Sequence, residues 1–251
     1  MDHDRELTPL HRAVEKGDLC LVRQMIDAGA DVNAQVDVPG HIGVAPLHLA
    51  ANTANNEMIE LLLARGADVN LEGGRDCGAP LLWADNEHIV GLLIAHGADV
   101  NASHCFTYRD YFGGCGMGGF TLAHLNAFFG RAGVLKLLIE SSARINERDF
   151  GERTPLHYAG MQGHVQAAEL LLLSGAEIEA RDAEGWTALA WAVKEGYRDV
   201  AAVLLANGAD AAWQWKGGTL LDEATLWGRT DLLSLLSSFS SGANSEGNEK
   251  G

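Results

Sequence analysis

Basic residues are scarce in this chain of 251 residues: 18 Lys and Arg stand against 34 Asp and Glu, a formal net charge of −16. Binding nucleic-acid phosphates or an anionic membrane surface requires a basic footprint, so neither is expected as a partner. Long apolar runs are missing too. None approaches the roughly 20 residues that a membrane-spanning helix needs, and no apolar segment follows the charged start Met-Asp-His-Asp-Arg-Glu. No secretory signal is therefore read, and a cytoplasmic location is expected. Proline is rare, at five residues, while 47% of the chain is hydrophobic, the composition of a folded protein. The four cysteines (Cys20, Cys77, Cys105 and Cys115) follow no framework spacing, so reduced thiols are expected. Aromatic residues are nearly absent from the first 100 positions: of 17 Phe, Trp and Tyr, only Trp83 lies there.

Glycine, by contrast, is plentiful at 30 residues, and it recurs in step with a second signal. Thr8-Pro-Leu-His-Arg-Ala13 returns as Ala45-Pro-Leu-His-Leu-Ala50, Ala79-Pro-Leu-Leu-Trp-Ala84 and, degraded, Thr121-Leu-Ala-His-Leu-Asn126. It returns again as Thr154-Pro-Leu-His-Tyr-Ala159, Thr187-Ala-Leu-Ala-Trp-Ala192 and Thr219-Leu-Leu-Asp-Glu-Ala224. The starts step by 37, 34, 42, 33, 33 and 32 residues. After most copies comes an apolar block such as Leu170-Leu-Leu-Leu173, then an ending such as Gly66-Ala-Asp-Val-Asn70.

Each piece has a physical task. Thr before Pro caps a helix whose first turn tolerates the missing N–H. A glycine near Gly17, Gly130, Gly163, Gly196 and Gly228 breaks the chain between two short helices. The apolar block forms the buried stripe of the second helix, and the following glycine supplies a left-handed stop. One such unit cannot bury its own apolar face, but stacked neighbours can.

Seven in-phase copies, over about residues 5 to 240, resemble the ankyrin-repeat family. The resemblance implies an all-α solenoid with β-turn fingers, two helices per repeat, and a face of fingers and first helices that binds other proteins. A single domain is expected over residues 1–240, followed by a polar C-terminal tail at 241–251 that is disordered by composition. In the family, the imidazole of the Pro-Leu-His block makes structural hydrogen bonds, which accounts for His11, His48, His124 and His157. His164, at the start of a second helix, is read the same way.

The departures from the pattern point to the working surface, because insertions map to loops on the binding side. The step of 42 inserts a glycine-rich aromatic finger at residues 104–118, and a smaller insertion surrounds residues 38–42. The third copy is short: 18 residues separate Ala79 from Gly97, so its first helix or inter-helix turn has lost about one turn of chain. Aligning the copies places Phe150 and Trp186 on fingers, and Phe128, Phe129, Met161 and Trp227 just before the mid-repeat glycines. With Tyr108, Tyr111 and Phe112 of the long finger, these are the expected partner-binding residues, since interface cores favour Trp, Tyr, Phe and Met. The alternative is that these rings stack on one another, or that the insertion folds back over Phe128, Phe129 and Trp186.

The expected function is a non-enzymatic protein-binding scaffold, monomeric and without cofactor. Residues 1–100 hold 16 acids against 6 bases and residues 101–251 hold 18 against 12. That excess would steer a partner with a basic surface toward the N-terminal half, although ordinary solubility explains it as well. Two other classes stay open. One is an inhibitor or immunity-like protein that sequesters a toxic or enzymatic partner. The other is an enzyme with zinc held by Cys77, His104, Cys105 and Cys115, which the lack of a C-x-x-C pair disfavours. The run Gly113–Gly119 lacks the lysine of a phosphate-binding loop. Asp182 and Glu184, on a finger, are expected to be solvated carboxylates.

Overall fold

The structure, a computed structural model, describes residues 7–38, 41–53, 55–73, 78–106, 117–215 and 218–242. The chain divides into two compact units, Met1–Leu122 with Glu140–Ala143, and Ala123–Ile139 with Arg144–Gly251.

In the first unit, α1 (Pro9–Glu15) pairs with α2 (Leu19–Asp27), and α3 (Pro46–Asn52) with α4 (Asn56–Ala64). A four-residue 3₁₀ turn, Pro80–Trp83, then precedes α5 (Glu87–Ala95). Two fingers are antiparallel hairpins: β1 (Val36–Val38) with β2 (His41–Val44), and β3 (Ser103–Phe106) with β4 (Met117–Thr121). Val36 stands opposite Val44, and Ser103 opposite Thr121. The long finger thus has a paired base, and its residues 107–116 lie outside the described residues, as does Cys77.

The second unit carries four helix pairs. They are α6 (Leu122–Phe128) with α7 (Ala132–Glu140), α8 (Pro155–Gln162) with α9 (Val165–Leu173), α10 (Ala188–Glu195) with α11 (Arg198–Ala206), and α12 (Leu220–Leu226) with α13 (Thr230–Gly242). A short hairpin, β5 (Gln214–Trp215) with β6 (Gly218–Thr219), forms the last finger. None of the helices among the described residues is long and apolar enough to cross a membrane.

Local chemistry explains these boundaries. Thr8, with Pro9 behind it, accepts a hydrogen bond from the His11 amide, and Thr187 does the same for Ala190. The second helices begin at Asp18, Asn55 and Asn86, whose carboxylate or amide oxygens accept from the amides three residues on at 3.0–3.1 Å. The chain turns back at glycines in the left-handed region, as at Gly163 (φ 76°) and Gly175 (φ 88°), where a Cβ would be strained. Second helices bury one stripe: Met58, Ile59 and Leu62 in α4, and Ile89, Val90 and Leu93 in α5. Each such side chain contributes about 1.5–3 kcal/mol of burial.

The short third copy has lost its first helix. The 3₁₀ turn still buries Pro80, Leu81 and Leu82, but Ala84 is extended (ψ 128°), so no second turn of helix can follow before Asn86 caps α5. Successive endings are linked by asparagine. Asn33 donates to Gly66 O at 3.2 Å and accepts from the Asp68 amide at 2.8 Å. Asn70 repeats this with Gly97 and Asp99, and Asn146 with Gly175 and Glu177.

Candidate partner-binding site

Five histidines are committed to packing. His48 Nδ1 accepts the Ala45 N–H at 3.0 Å, so its proton sits on Nε2, which donates to the Gly78 carbonyl at 2.9 Å. His157 does the same with Thr154 and Trp186, each at 3.0 Å. His11 and His124 donate through Nε2 to Val44 O and Arg153 O, and His164 to Phe128 O. The first four rings thus each tie a first helix to the finger of the next repeat, and His164 ties the start of a second helix back to the end of the preceding first helix. Burial holds the pKa of His11, His48, His124 and His157 below the usual histidine value, with the carbonyl bonds opposing it. The rings of His11, His48 and His157 are bonded at both nitrogens and so have none left for a metal or a transferred proton.

Among the described residues, no group of three His, Cys, Asp or Glu side chains stands close enough to hold a metal ion. Cys77 and Cys115 lie outside the described residues, and the side chains of His104 and Cys105 are not described either.

Asp182 is not a solvated finger carboxylate. It is buried, accepts from the Glu184 and Trp186 amides at 3.0 and 2.8 Å, and takes the Trp191 indole N–H at 2.9 Å. One repeat earlier, Asp149 accepts from the Gly151 and Arg153 amides, both at 2.8 Å, and from the Tyr158 hydroxyl at 2.5 Å. Arg153 bridges the two fingers, with Nε 3.5 Å from Asp182 Oδ2. Burial, then the nearby Asp149 charge, pushes the Tyr158 pKa far up, so the phenol stays a donor. The sequence signal for this pair of fingers is an Asp nine residues before a ring-bearing donor, at 149/158 and again at 182/191.

The expected contact residues separate into two groups. Phe129 is 45% exposed and Phe150 73% exposed, while Trp227 is 52% exposed with its indole N–H held by Glu223 Oε2 at 3.0 Å. Leu226 beside it is 74% exposed. Phe128 is half-buried, edge-on to Phe129 (5.0 Å) and to Tyr158 (6.1 Å), and Met161 is half-buried. Trp186 differs from the exposed finger ring expected of it: only 7% of it is exposed. Trp191, Trp213 and Trp215 surround it at ring distances of 5.2, 6.0 and 5.1 Å. Tyr108, Tyr111 and Phe112 lie outside the described residues.

The repeat architecture agrees with the comparisons to known proteins. The family model described as ankyrin repeats (3 copies) matches residues 10–104, 86–182, 123–214 and 172–247. The chain is similar to the ankyrin repeat protein FPV240 of Fowlpox virus, 45% identical over 62 residues, which is 25% of this chain and 14% of the relative. It is 43% identical over 67 residues to the transient receptor potential cation channel subfamily A member 1 of Homo sapiens, covering 26% and 6%. It is 42% identical over 59 residues to the 2-5A-dependent ribonuclease of Mus musculus, covering 24% and 8%. In each case the match spans a small part of the relative's length.

Proposed function

Because this chain belongs to the ankyrin-repeat family, whose repeats form protein-interaction domains, we propose that it is a non-enzymatic scaffold. It captures a partner protein through the finger tips and first-helix ends of its second unit. The observation that carries this reading is the exposure of Phe129, Phe150, Leu226 and Trp227 at those repeat positions. Large apolar side chains left in water at the ends of packed helices bury much area on contact and lose little entropy doing so. Phe128 is half-buried edge-on to Phe129 at 5.0 Å and backs this surface, and Met161 is half-buried at the matching position one repeat on. Trp186 leaves it because its ring is already packed.

The partner offers a basic surface, the complement to a net charge of −16, and the scaffold acts as a cytoplasmic monomer. The ion channel and the ribonuclease it is similar to carry such repeats within much longer chains, and their channel and nuclease activities are not assigned to this one.

The test is an affinity capture from the native organism, comparing the wild-type chain with Phe129→Ala/Trp227→Ala and reading partners by mass spectrometry. A dominant partner lost from the variant, with the helical circular dichroism unchanged, supports the reading. A partner equally retained moves the binding site to the acidic first unit.

A further inference from the structure

The mid-repeat glycines of the second unit carry a ladder of planar side chains. A Cβ on Gly130 would fall 2.4 Å from the His164 ring, one on Gly163 2.4 Å from the Tyr197 ring, and one on Gly196 2.6 Å from the Arg229 guanidinium. Each planar group is the residue after the next mid-repeat glycine, so each copy lays one side chain flat on the copy before it. Gly228 holds the same position in the last copy, with the same left-handed backbone (φ 65°). Among the described residues, nothing lies within 4 Å of a Cβ placed there.

The planar groups also bond to the helix end beneath them. His164 donates to the Phe128 carbonyl at 2.9 Å, and Arg229 to the Lys194 and Glu195 carbonyls at 3.3 and 2.9 Å. These acceptors stand one and two residues before the covered glycine, at the C-terminal end of a first helix. Carbonyls there lack an intrahelical donor and carry partial negative charge. Their counterparts at Gly228 are the carbonyls of Leu226 and Trp227, neither of which accepts a hydrogen bond among the described residues.

Three observations select a guanidinium for this place. Arg229 shows that one fits over a mid-repeat glycine and bonds both carbonyls at once, which the single donor of a neutral imidazole or a phenol does not. Phe129 precedes Gly130 as Trp227 precedes Gly228, and its ring carries the Arg131 guanidinium 4.9 Å from its centre. An indole attracts a cation more strongly than a phenyl ring does. The charge also fits: residues 219–242 hold Asp222, Glu223 and Asp231 against Arg229 alone, and Arg229 faces the preceding copy. The Glu223 carboxylate is buried against Trp227, where it holds the indole N–H. A second copy of this chain does not supply the guest through its first repeat, because the equivalent residue there is Asp18, an acceptor bonded to the Leu21 amide.

We propose that Gly228, the carbonyls of Leu226 and Trp227, and the Trp227 ring form a seat for an arginine side chain of a partner protein. The guanidinium lies flat on Gly228, donates to both carbonyls and meets the indole face, continuing the ladder across the interface. This inference rests on the protein-binding reading and narrows it to one residue type at one place.

The experiment titrates the full chain with arginine blocked as its acetyl methylamide, then with lysine blocked in the same way, at constant ionic strength. The Gly228 amide and Trp227 indole N–H resonances report binding. Saturable shifts in the millimolar range are expected for the arginine compound, with the lysine compound at least about tenfold weaker. Gly228→Ala sets a methyl group where the guanidinium lies and is expected to abolish the shifts. Gly208→Ala, also left-handed (φ 94°) with nothing within 4 Å of its Cβ, strains the backbone alike and is expected to bind as wild type does. No shift with the arginine compound overturns the proposal, as do equal affinity for the two compounds or unchanged binding by Gly228→Ala. Partner capture separates this inference from the reading beneath it. A partner lost by Phe129→Ala/Trp227→Ala but kept by Gly228→Ala overturns the seat and leaves the protein-binding surface standing. A partner kept by both variants overturns that surface, and the seat with it.

Discussion

The Tyr158 hydroxyl donates to the Asp149 carboxylate across 2.5 Å, and the same construction returns 33 residues later with Trp191 and Asp182 at 2.9 Å. In each finger the carboxylate first satisfies two amides of its own turn and then reaches the ring donor on the following helix. The bond therefore fixes the angle between finger and helix. Tyr158→Phe removes one donor to a charged acceptor and is expected to cost about 1.5–3 kcal/mol of stability. Asp149→Ala strands two backbone amides as well as the phenol and is expected to cost more. Urea denaturation of the two variants checks both the size and the order.

The histidine ties make stability depend on pH. His11, His48, His124 and His157 have folded pKa values below the ordinary value because burial disfavours the charged ring. The unfolded chain therefore binds protons that the folded chain refuses. Their contribution is complete above an unfolded pKa of about 6.5 and is lost as pH falls from there through the lowered folded values. Each histidine adds a slope of up to about 1.4 kcal/mol per pH unit in that window. Urea midpoints are expected to be flat from about pH 7 to 8 and to fall between about pH 6.5 and 5, before most carboxylates titrate. His48→Gln should lower the plateau and reduce the slope, and an unchanged slope would show that the ring is not held neutral.

Two glycines separate backbone strain from close packing. Gly163 and Gly175 share a left-handed backbone, φ 76° and 88°, that costs an L-residue about 1–2 kcal/mol. A Cβ on Gly163 would also run into the Tyr197 ring, whereas one on Gly175 would meet nothing within 4 Å. Gly163→Ala is therefore expected to lower the thermal midpoint more than Gly175→Ala. Adding Tyr197→Ala should bring the two substitutions to the same cost, and a double-mutant cycle reads that coupling.

The repeat was legible because its signals are local. Caps, mid-repeat glycines and histidines each fall within one copy, and the structure uses them as the spacing predicts. The burial of Asp182 was not legible, since a carboxylate in a turn looks solvated until an indole nine residues away closes over it. The burial of Trp186 was not legible for a related reason. The rings that cover it, Trp213 and Trp215, come from the next finger, and no periodicity of one repeat reports what the next finger lays on top. The shortened third copy announced a missing turn, but only the extended Ala84 places the loss in the first helix.

Charge and apolar surface should act on different steps of partner capture. The net charge of −16 extends over the whole chain, so its attraction works at long range and is screened within about 10 Å at 0.1 M salt. Raising sodium chloride from about 15 to about 150 mM is expected to slow association with a basic partner about tenfold or more, with little change in dissociation. Phe129 and Trp227 act only on contact. Phe129→Ala or Trp227→Ala should instead hasten dissociation, by about thirtyfold if each side chain is worth 2 kcal/mol, and leave the salt dependence of association unaltered. Surface plasmon resonance on the captured partner at both salt concentrations separates the two effects. If salt changed dissociation as strongly as association, the acids would have to lie inside the contact and not around it, and the exposed rings would no longer define its centre.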